Sequence, residues 1–123
     1  MLDASAVLRA LVYQREEAGA WLATHVAWPA FIYLEAAHTM LRLHRNRLLS
    51  LDEATRALDT LMVLPADVTP TEMLVRAAWS VALARNLSVY DACYVVLAEA
   101  LGAPLVTADR RLAEATPNAV LLT

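Results

Sequence analysis

Residues 87–112 read LSVYDACYVVLAEALGAPLVTADRRL and contain, in direct succession, a helix start, an almost wholly apolar helix, a turn and a short strand. Ser88 followed three residues later by Asp91 is a variant of the capping box, so a helix is predicted over residues 89–101. Gly102 then supplies the left-handed residue on which many helices end. Local signals therefore define both ends of this helix.

A short strand follows the turn. Pro104 cannot continue a helix and begins an extended segment, and residues 105–107, Leu-Val-Thr, read as a buried strand. Asp109 lies just past the carboxyl end of this strand, which is the edge at which open α/β sheets bind ligands. Asp91 and Asp109 therefore both lie where such a unit meets an active-site edge.

Longer helices alternate with short apolar strands along the rest of the chain. Apolar periodicity and capping signals predict further helices over residues 4–11, 16–24, 30–43, 51–61, 70–86 and 110–115. Short strands are predicted at residues 1–2, 26–28, 62–64 and 119–122. This alternation is typical of an α/β fold in which helices cover both faces of a parallel sheet. No repeat or linker divides the chain, so one domain over residues 1–123 is expected.

The helix of residues 30–43 carries Glu35. Pro29 is well placed as its first residue. Glu35 lies beside the predicted apolar stripe of this helix, which consists of Ala30, Leu34, Ala37 and Leu41.

Several large or polar side chains are predicted to have packing roles. His38 is expected to be a partly buried helix residue, and Cys93 an inert core residue. Aromatic side chains more often pack cores than stack on bases, and this expectation applies to Trp21, Trp28, Trp79, Tyr33 and Tyr90.

The composition favours a folded domain outside the membrane. Hydrophobic residues make up 59% of the 123 residues, which argues against disorder. No apolar run reaches the ~18 residues that a membrane helix needs, and the first residues do not read as a signal peptide. We therefore expect no membrane association and a cytoplasmic location. The apolar excess also suggests that a partner or a second copy of the chain covers part of the surface.

Charge and residue usage exclude several function classes. The net charge of −3 excludes binding of nucleic acid by bulk positive charge. All ten basic residues are arginines, which excludes mechanisms that require a lysine, such as the P-loop or Schiff-base chemistry. A single cysteine excludes an internal disulfide and a cysteine-cluster metal site. With only two glycines, the chain also lacks a glycine-rich phosphate loop.

Each of four acidic residues has an ordinary structural explanation. Asp3 and Asp91 fit helix caps, and Asp109 fits the dipole of the helix that follows it. Glu35 fits an interaction with His38 or Arg42 at helical spacing.

Taken together, the four acidic residues point to a metal site. The carboxyl ends of parallel strands share one edge with the starts of the following helices, so these carboxylates are expected to converge. Mg²⁺ and Mn²⁺ prefer such oxygen ligands, and one or two ions could activate water for attack on a phosphodiester. Ser5 and Thr107 could hold bound waters or orient the carboxylates, with ordinary hydroxyl-to-backbone bonding as the alternative.

Four segments carry a resemblance to a known family. They are MLDASA at residues 1–6, Glu35 in the helix of residues 29–41, VYDACY at residues 89–94 and LVTADRRL at residues 105–112. In order and spacing they resemble the PIN domain, and more closely the VapC-type toxins of bacterial toxin–antitoxin pairs. The resemblance covers essentially the whole chain.

The resemblance implies a PIN-like three-layer α/β/α fold, with a short central parallel sheet of four to five strands flanked by helices. It also implies a Mg²⁺-dependent endoribonuclease, for which Mn²⁺ could substitute. The implied partners are an RNA substrate, a second copy in a homodimer, and a cognate antitoxin whose C-terminal segment lies along a groove.

By position in the resemblance, the acidic quartet consists of Asp3, Glu35, Asp91 and Asp109. Asp3 and Asp91 would be direct metal ligands, followed by Asp109, whereas Glu35 often lies outside the direct ligand set. The chain departs from the family's pattern in having only two residues before Asp3.

A basic cluster lies near the end of the Glu35 helix. Arg42 and Arg45, together with Arg110 after the last aspartate, are candidate contacts to RNA phosphates beside the acidic site. The alternative for Arg42 and Arg45 is a favourable interaction with the C-terminal helix dipole. The sequence leaves both interpretations open.

Two other function classes share acidic residues at strand ends. A phospho-accepting receiver domain of the response-regulator kind relies on a lysine, which this chain lacks. A catalytically silent PIN-like module that holds RNA or a protein partner is the alternative to the enzyme. Metal binding that depends on Asp3 and Asp91 separates the enzyme from the silent module.

Overall fold

Seven helices and four short strands make up the chain, and the computed structural model describes all 123 residues. The helices are α1 (Ala4–Leu11), α2 (Glu16–Leu22), α3 (Ile32–Arg45), α4 (Leu51–Val63), α5 (Val75–Arg85), α6 (Val89–Leu101) and α7 (Arg110–Glu114). The strands are β1 (Ala27–Pro29), β2 (Asp67–Thr69), β3 (Leu105–Thr107) and β4 (Ala119–Leu121). A 3₁₀ turn over Thr71–Met73 precedes α5.

All strand pairs are parallel. β1 pairs with β2, and β3 pairs with β4. On the other edge of β3, Leu2 forms a single bridge to Val106. Val106 donates its N–H to the Met1 carbonyl at 2.8 Å and accepts from the Asp3 N–H at 3.1 Å. The predicted α/β class with short parallel strands is therefore confirmed.

The strands form two separate hydrogen-bonded pairs rather than one continuous sheet of four to five strands. The amino-terminal segment adds only a single bridge to β3, at Leu2, because the chain turns into α1 at its N-cap Asp3.

Helix caps place α6 and α4 as their local signals predict. The Asp91 N–H donates to Ser88 Oγ at 3.0 Å, and Gly102 adopts φ +61°, so α6 begins and ends at the predicted residues. At α4, Ser50 and Glu53 exchange both bonds of a capping box, at 3.1 and 3.2 Å.

The predicted start and apolar stripe of the Glu35 helix are wrong. Pro29 ends β1, and α3 begins only at Ile32. The buried face consists of Ile32, Ala36 and Met40, whereas Leu34 is 76% exposed. Both stripes have helical spacing, so periodicity alone could not choose between them.

The predicted strand at residues 62–64 is also wrong. Met62 and Val63 continue α4, and Leu64 is the extended residue at its end. The strand in this region is β2, which has the polar sequence Asp-Val-Thr and is mostly exposed. Its hydrogen bonds to β1 stabilise it without the apolar run that the prediction relied on.

The core is one cluster of 28 buried residues. Trp28 and Tyr94 are its largest members, and α6 contributes six buried residues, among them Cys93. The predicted core role of aromatic residues fails at Trp79 and Tyr90, which are 61% and 62% exposed. His38 is likewise exposed rather than partly buried.

No single helix has the length and apolar content to cross a membrane; α5 and α6 meet that test only as a pair bent by 109°.

Candidate active site

Asp3 is the most buried of the four acidic residues, with an exposed fraction of 4%. It caps α1, and its Oδ1 accepts from the Ala6 N–H at 2.9 Å and from Ser5 Oγ at 2.7 Å. Its Oδ2 accepts from Thr107 Oγ1 at 2.5 Å. Burial raises the pKa of Asp3 and the charge of Asp91 adds to this, although the hydrogen bonds oppose the shift.

Two hydroxyls join Asp3 to the end of β3. Ser5 Oγ accepts from the Ala108 N–H at 2.9 Å, and Thr107 Oγ1 accepts from the Asp109 N–H at 3.0 Å. Because each hydroxyl also donates its only proton to the Asp3 carboxylate, both are directional links. Ser5 and Thr107 therefore hold the Asp3 carboxylate against the loop that carries Asp109.

Glu35 extends from α3 and is held by a tyrosine of α6. Tyr94 donates its hydroxyl to Glu35 Oε1 at 2.9 Å and is 1% exposed. Burial raises the pKa of Glu35, and the charges of Asp3 and Asp91 raise it further. Burial and the Glu35 charge raise the pKa of Tyr94 as well, so its hydroxyl stays protonated and remains a donor.

Asp91 and Asp109 both lie at helix starts. Asp91 occupies the first turn of α6, where burial raises the pKa of its carboxyl and the charge of Asp109 adds to the effect. Asp109 caps α7, and its Oδ1 accepts from the N–H groups of Arg111 and Leu112 at 3.0 and 3.3 Å. These caps explain the local conformation of each residue. They do not explain why Asp109 lies near enough to Asp91 for its charge to raise the pKa of Asp91.

We call Asp3, Glu35, Asp91 and Asp109 the acidic cluster. Asp91 raises the pKa of Asp3 and Glu35, and Asp109 raises that of Asp91. The one cation that opposes these shifts is Arg111, which lowers the pKa of Asp91. The acidic cluster is thus a concentration of like charge with little compensation from the protein.

The donor chemistry of the acidic cluster fits a hard divalent cation. Only oxygen ligands are present, and a cation would offset the burial and the like charge that raise the pKa values of Asp3 and Asp91. No three of the carboxylates lie close enough to form a complete ligand set. Mg²⁺ does not require such a set, because it retains several waters and is often held by one or two carboxylates.

The predicted RNA-contact arginines lie on the surface. Arg42 and Arg45 are exposed on α3, and Arg110 is exposed at the start of α7. None of the three forms an ion pair, since the ion pairs of the molecule join His25 to Asp67 and Arg85 to Glu99. Arg42 shares a surface cleft with Glu35, whereas nothing brings Arg45 to the acidic cluster.

The sequence analysis gave no role to Tyr94. The spacing of Tyr94, three residues after Asp91 on α6, was the available signal because residues so spaced share a helix face. Its contact with Glu35 joins residues 59 positions apart, so no local pattern reveals it.

Comparison with known proteins finds matches over most of the chain. The family model of the PIN domain matches residues 1–116. VapC ribonuclease Mb0985 of Mycobacterium bovis and ribonuclease VapC9 of Mycobacterium tuberculosis are each 37% identical over 114 residues, which cover 93% of this chain and 88% of each relative. Ribonuclease VapC3 of Pyrobaculum aerophilum is 38% identical over 88 residues, or 70% of this chain and 67% of that protein.

A solved structure has the same overall fold. The crystal structure of PAE2754 from Pyrobaculum aerophilum superposes with a TM-score of 0.73 at 28% identity. The match covers 97% of this chain and 85% of that protein.

Proposed function

The chain belongs to the PIN-domain family, and we propose that it is a Mg²⁺-dependent endoribonuclease that acts as the toxin of a toxin–antitoxin pair. Its relatives at 37% identity are VapC ribonucleases, and they cover nearly the whole chain. The observation that carries the proposal is the acidic cluster, in which buried and partly buried carboxylates raise one another's pKa with little compensation from cations. Such a site favours a divalent cation and a phosphate-containing substrate.

The residues of the acidic cluster take distinct roles in this proposal. Asp3 and Asp91 would hold the ion, with Asp109 as the next ligand. Ser5 and Thr107 fix the direction of the Asp3 carboxylate through their hydroxyl protons. Tyr94 holds Glu35 beside the site. When bound, Mg²⁺ would lower the pKa of a coordinated water and neutralise charge on the phosphodiester.

Cleavage of RNA in the presence of Mg²⁺ tests the enzyme. We expect Asp91→Asn to lower the rate by about 100-fold or more, since it removes a charge that holds the ion. The matched control is Asp59→Asn, which changes an exposed carboxylate in the second half of α4. Equal rates for wild type and Asp91→Asn would reject the proposal.

A catalytically silent module is the alternative function, and one observation favours it. No three carboxylates form a complete ligand set in the protein alone. Calorimetric titration with Mn²⁺ separates the two functions: binding that is lost in Asp3→Asn and Asp91→Asn supports the enzyme. Absence of such binding supports a module that holds RNA or a partner without cleaving it.

The proposal includes two protein partners and a place of action. A cognate antitoxin would inhibit the enzyme, and both would meet RNA in the cytoplasm. A homodimer would cover exposed apolar side chains such as Val75, Trp79 and Leu83, which recur every four residues on α5. Size-exclusion chromatography with light scattering tests the dimer, and a monomer at all concentrations would exclude it.

A further inference from the structure

A cleft of about 500 Å³ opens beside the acidic cluster, between α3 and the first turn of α6. Phe31, Leu34 and Tyr90 supply its apolar lining, and Glu35 belongs to both the cleft and the acidic cluster. Arg42 lies two helical turns beyond Glu35 on α3. The cleft thus runs from the carboxylates along an aromatic and aliphatic wall to a cation.

Tyr90 is a large aromatic residue that is mostly exposed to solvent. Its side chain is 62% exposed, and it directly precedes Asp91 on α6. Its ring stands edge-on to Phe31, with centroids 5.5 Å apart and planes at 82°. Phe31 in turn packs edge-on against the buried Tyr94, at 5.2 Å. Tyr90 is therefore supported by the core while much of its ring remains open to solvent.

The charge of the cleft changes along its length. Arg42 is exposed and forms no ion pair within the protein. His38 lies between Arg42 and Glu35 on the same helix and is also exposed. An occupant with an apolar, planar part and an anionic part matches this order of groups. An unpaired nucleotide has both parts.

We propose that the cleft binds a base of single-stranded RNA next to the cleaved phosphodiester, with Tyr90 stacking on the base and Arg42 pairing with a neighbouring phosphate. The inference rests on the proposed ribonuclease function and names the two residues that would hold a nucleotide beside the cleaved bond. Bases in a duplex are stacked on one another and cannot offer a face to Tyr90, whereas bases in loops and ends can.

Binding of a labelled single-stranded RNA of about 10 nucleotides, measured by fluorescence anisotropy in EDTA, tests the stacking. We expect Tyr90→Ala to weaken binding about 10-fold and Tyr90→Phe to bind like wild type, because stacking needs the ring and not the hydroxyl. Tyr13→Ala is the matched control: Tyr13 is 49% exposed just beyond the carboxyl end of α1, at the opposite end from Asp3. Circular dichroism checks that each variant is folded.

The salt dependence of the same binding tests the phosphate contact. We expect Arg42→Gln to weaken binding about threefold at low salt and to lower the slope of log affinity against log salt by about 0.7. Arg56→Gln on α4 removes an exposed arginine away from the cleft and should change neither quantity.

Three results would overturn the inference. The first is unchanged RNA affinity in Tyr90→Ala, and the second is equal affinity of wild type for the strand and its duplex. The third is a Tyr90→Ala variant that binds RNA normally but loses the antitoxin, which would assign the cleft to a protein segment.

Cleavage with Mg²⁺ is measured in parallel. If wild type cleaves while Tyr90→Ala binds and cleaves normally, only this inference falls. If wild type does not cleave, the proposed function falls, and the binding data still decide what occupies the cleft.

Discussion

Tyr94 is the residue through which α6 contacts Glu35. Its hydroxyl donates to Glu35 Oε1 at 2.9 Å, and its ring packs edge-on against Phe31. The same helix carries Asp91 one turn earlier. A single rigid helix therefore sets the position of one carboxylate directly and that of another through a hydrogen bond.

Removal of the Tyr94 hydroxyl should slow cleavage without unfolding the protein. We expect Tyr94→Phe to lower kcat about 10-fold with little change in KM, because Glu35 loses the donor that orients it. Steady-state cleavage of RNA measures both constants. The control is Tyr33→Phe, since the Tyr33 hydroxyl accepts from Trp28 Nε1 at 3.1 Å and does not touch the acidic cluster.

A double mutant shows whether Tyr94 acts through Glu35. If it does, adding Tyr94→Phe to Glu35→Gln should have almost no further effect on kcat. Fully additive losses would mean that Tyr94 contributes in another way.

The acidic cluster should destabilise the metal-free fold at neutral pH. Burial raises the pKa of Asp91 above its ordinary value of 3.8, so the folded state binds protons more tightly than the unfolded state. The stability that this carboxyl contributes is full below 3.8 and is lost as pH rises through the raised pKa. In EDTA, stability should therefore increase as pH falls through the raised pKa of Asp91 towards 3.8.

Thermal denaturation of Asp91→Asn measures this effect. We expect its Tm in EDTA at pH 7 to exceed that of wild type by about 2–4 °C, with a weaker dependence on pH. Saturating Mg²⁺ should raise the Tm of wild type and leave that of Asp91→Asn almost unchanged. A lower Tm for Asp91→Asn in EDTA would contradict the proposed cost of burying this charge.

At the scale of elements, the predictable parts are those with signals at both ends. α6 spans its predicted residues because Ser88 caps one end and Gly102 the other. β2 could not be found, because its polar residues are held by hydrogen bonds to β1, which is distant in sequence. The buried face of α3 was misassigned because two stripes have the same helical spacing, and only contacts with other elements select one.

The two glycines form a matched pair for testing helix geometry. Gly102 adopts φ +61° after α6, whereas Gly19 lies inside α2, and a Cβ at either position would meet no atom within 4 Å. We expect Gly102→Ala to lower the free energy of unfolding by about 1 kcal/mol, because alanine disfavours the left-handed region. Gly19→Ala should raise it by about 0.5–1 kcal/mol. Urea denaturation measures both, and changes of the same sign would contradict this assignment.

At the scale of the whole molecule, a rule of topology predicted that Asp3 and Asp109 lie at the same sheet edge, whereas the convergence of all four carboxylates on a metal ion stays a prediction. Asp3 and Asp109 follow parallel neighbours, so they reach one edge although 106 positions separate them in the sequence. The division of the strands into two pairs was not predictable, since it depends on hydrogen bonds between segments that are distant in sequence. The exposure of Tyr90 likewise depends on how α3 and α6 meet.

We expect residues 1–123 to unfold as one cooperative unit. The single cluster of 28 core residues includes members from the first residues to Leu122. Urea unfolding followed by tryptophan fluorescence and by far-ultraviolet circular dichroism should give coincident transitions. Transitions that separate by probe would show more than one folding unit.

The bridge between Leu2 and Val106 lies directly beside Asp3, so local opening of this bridge also displaces a residue of the acidic cluster. Asp3 donates its N–H to Val106 and accepts the Thr107 proton, so the backbone bond and the side-chain bond are adjacent. When this segment detaches, the carboxylate leaves the sheet edge in the same event. The exchange rate of the Asp3 amide hydrogen with solvent therefore reports how often a folded molecule is without its assembled site, a fraction that no measurement of global unfolding detects.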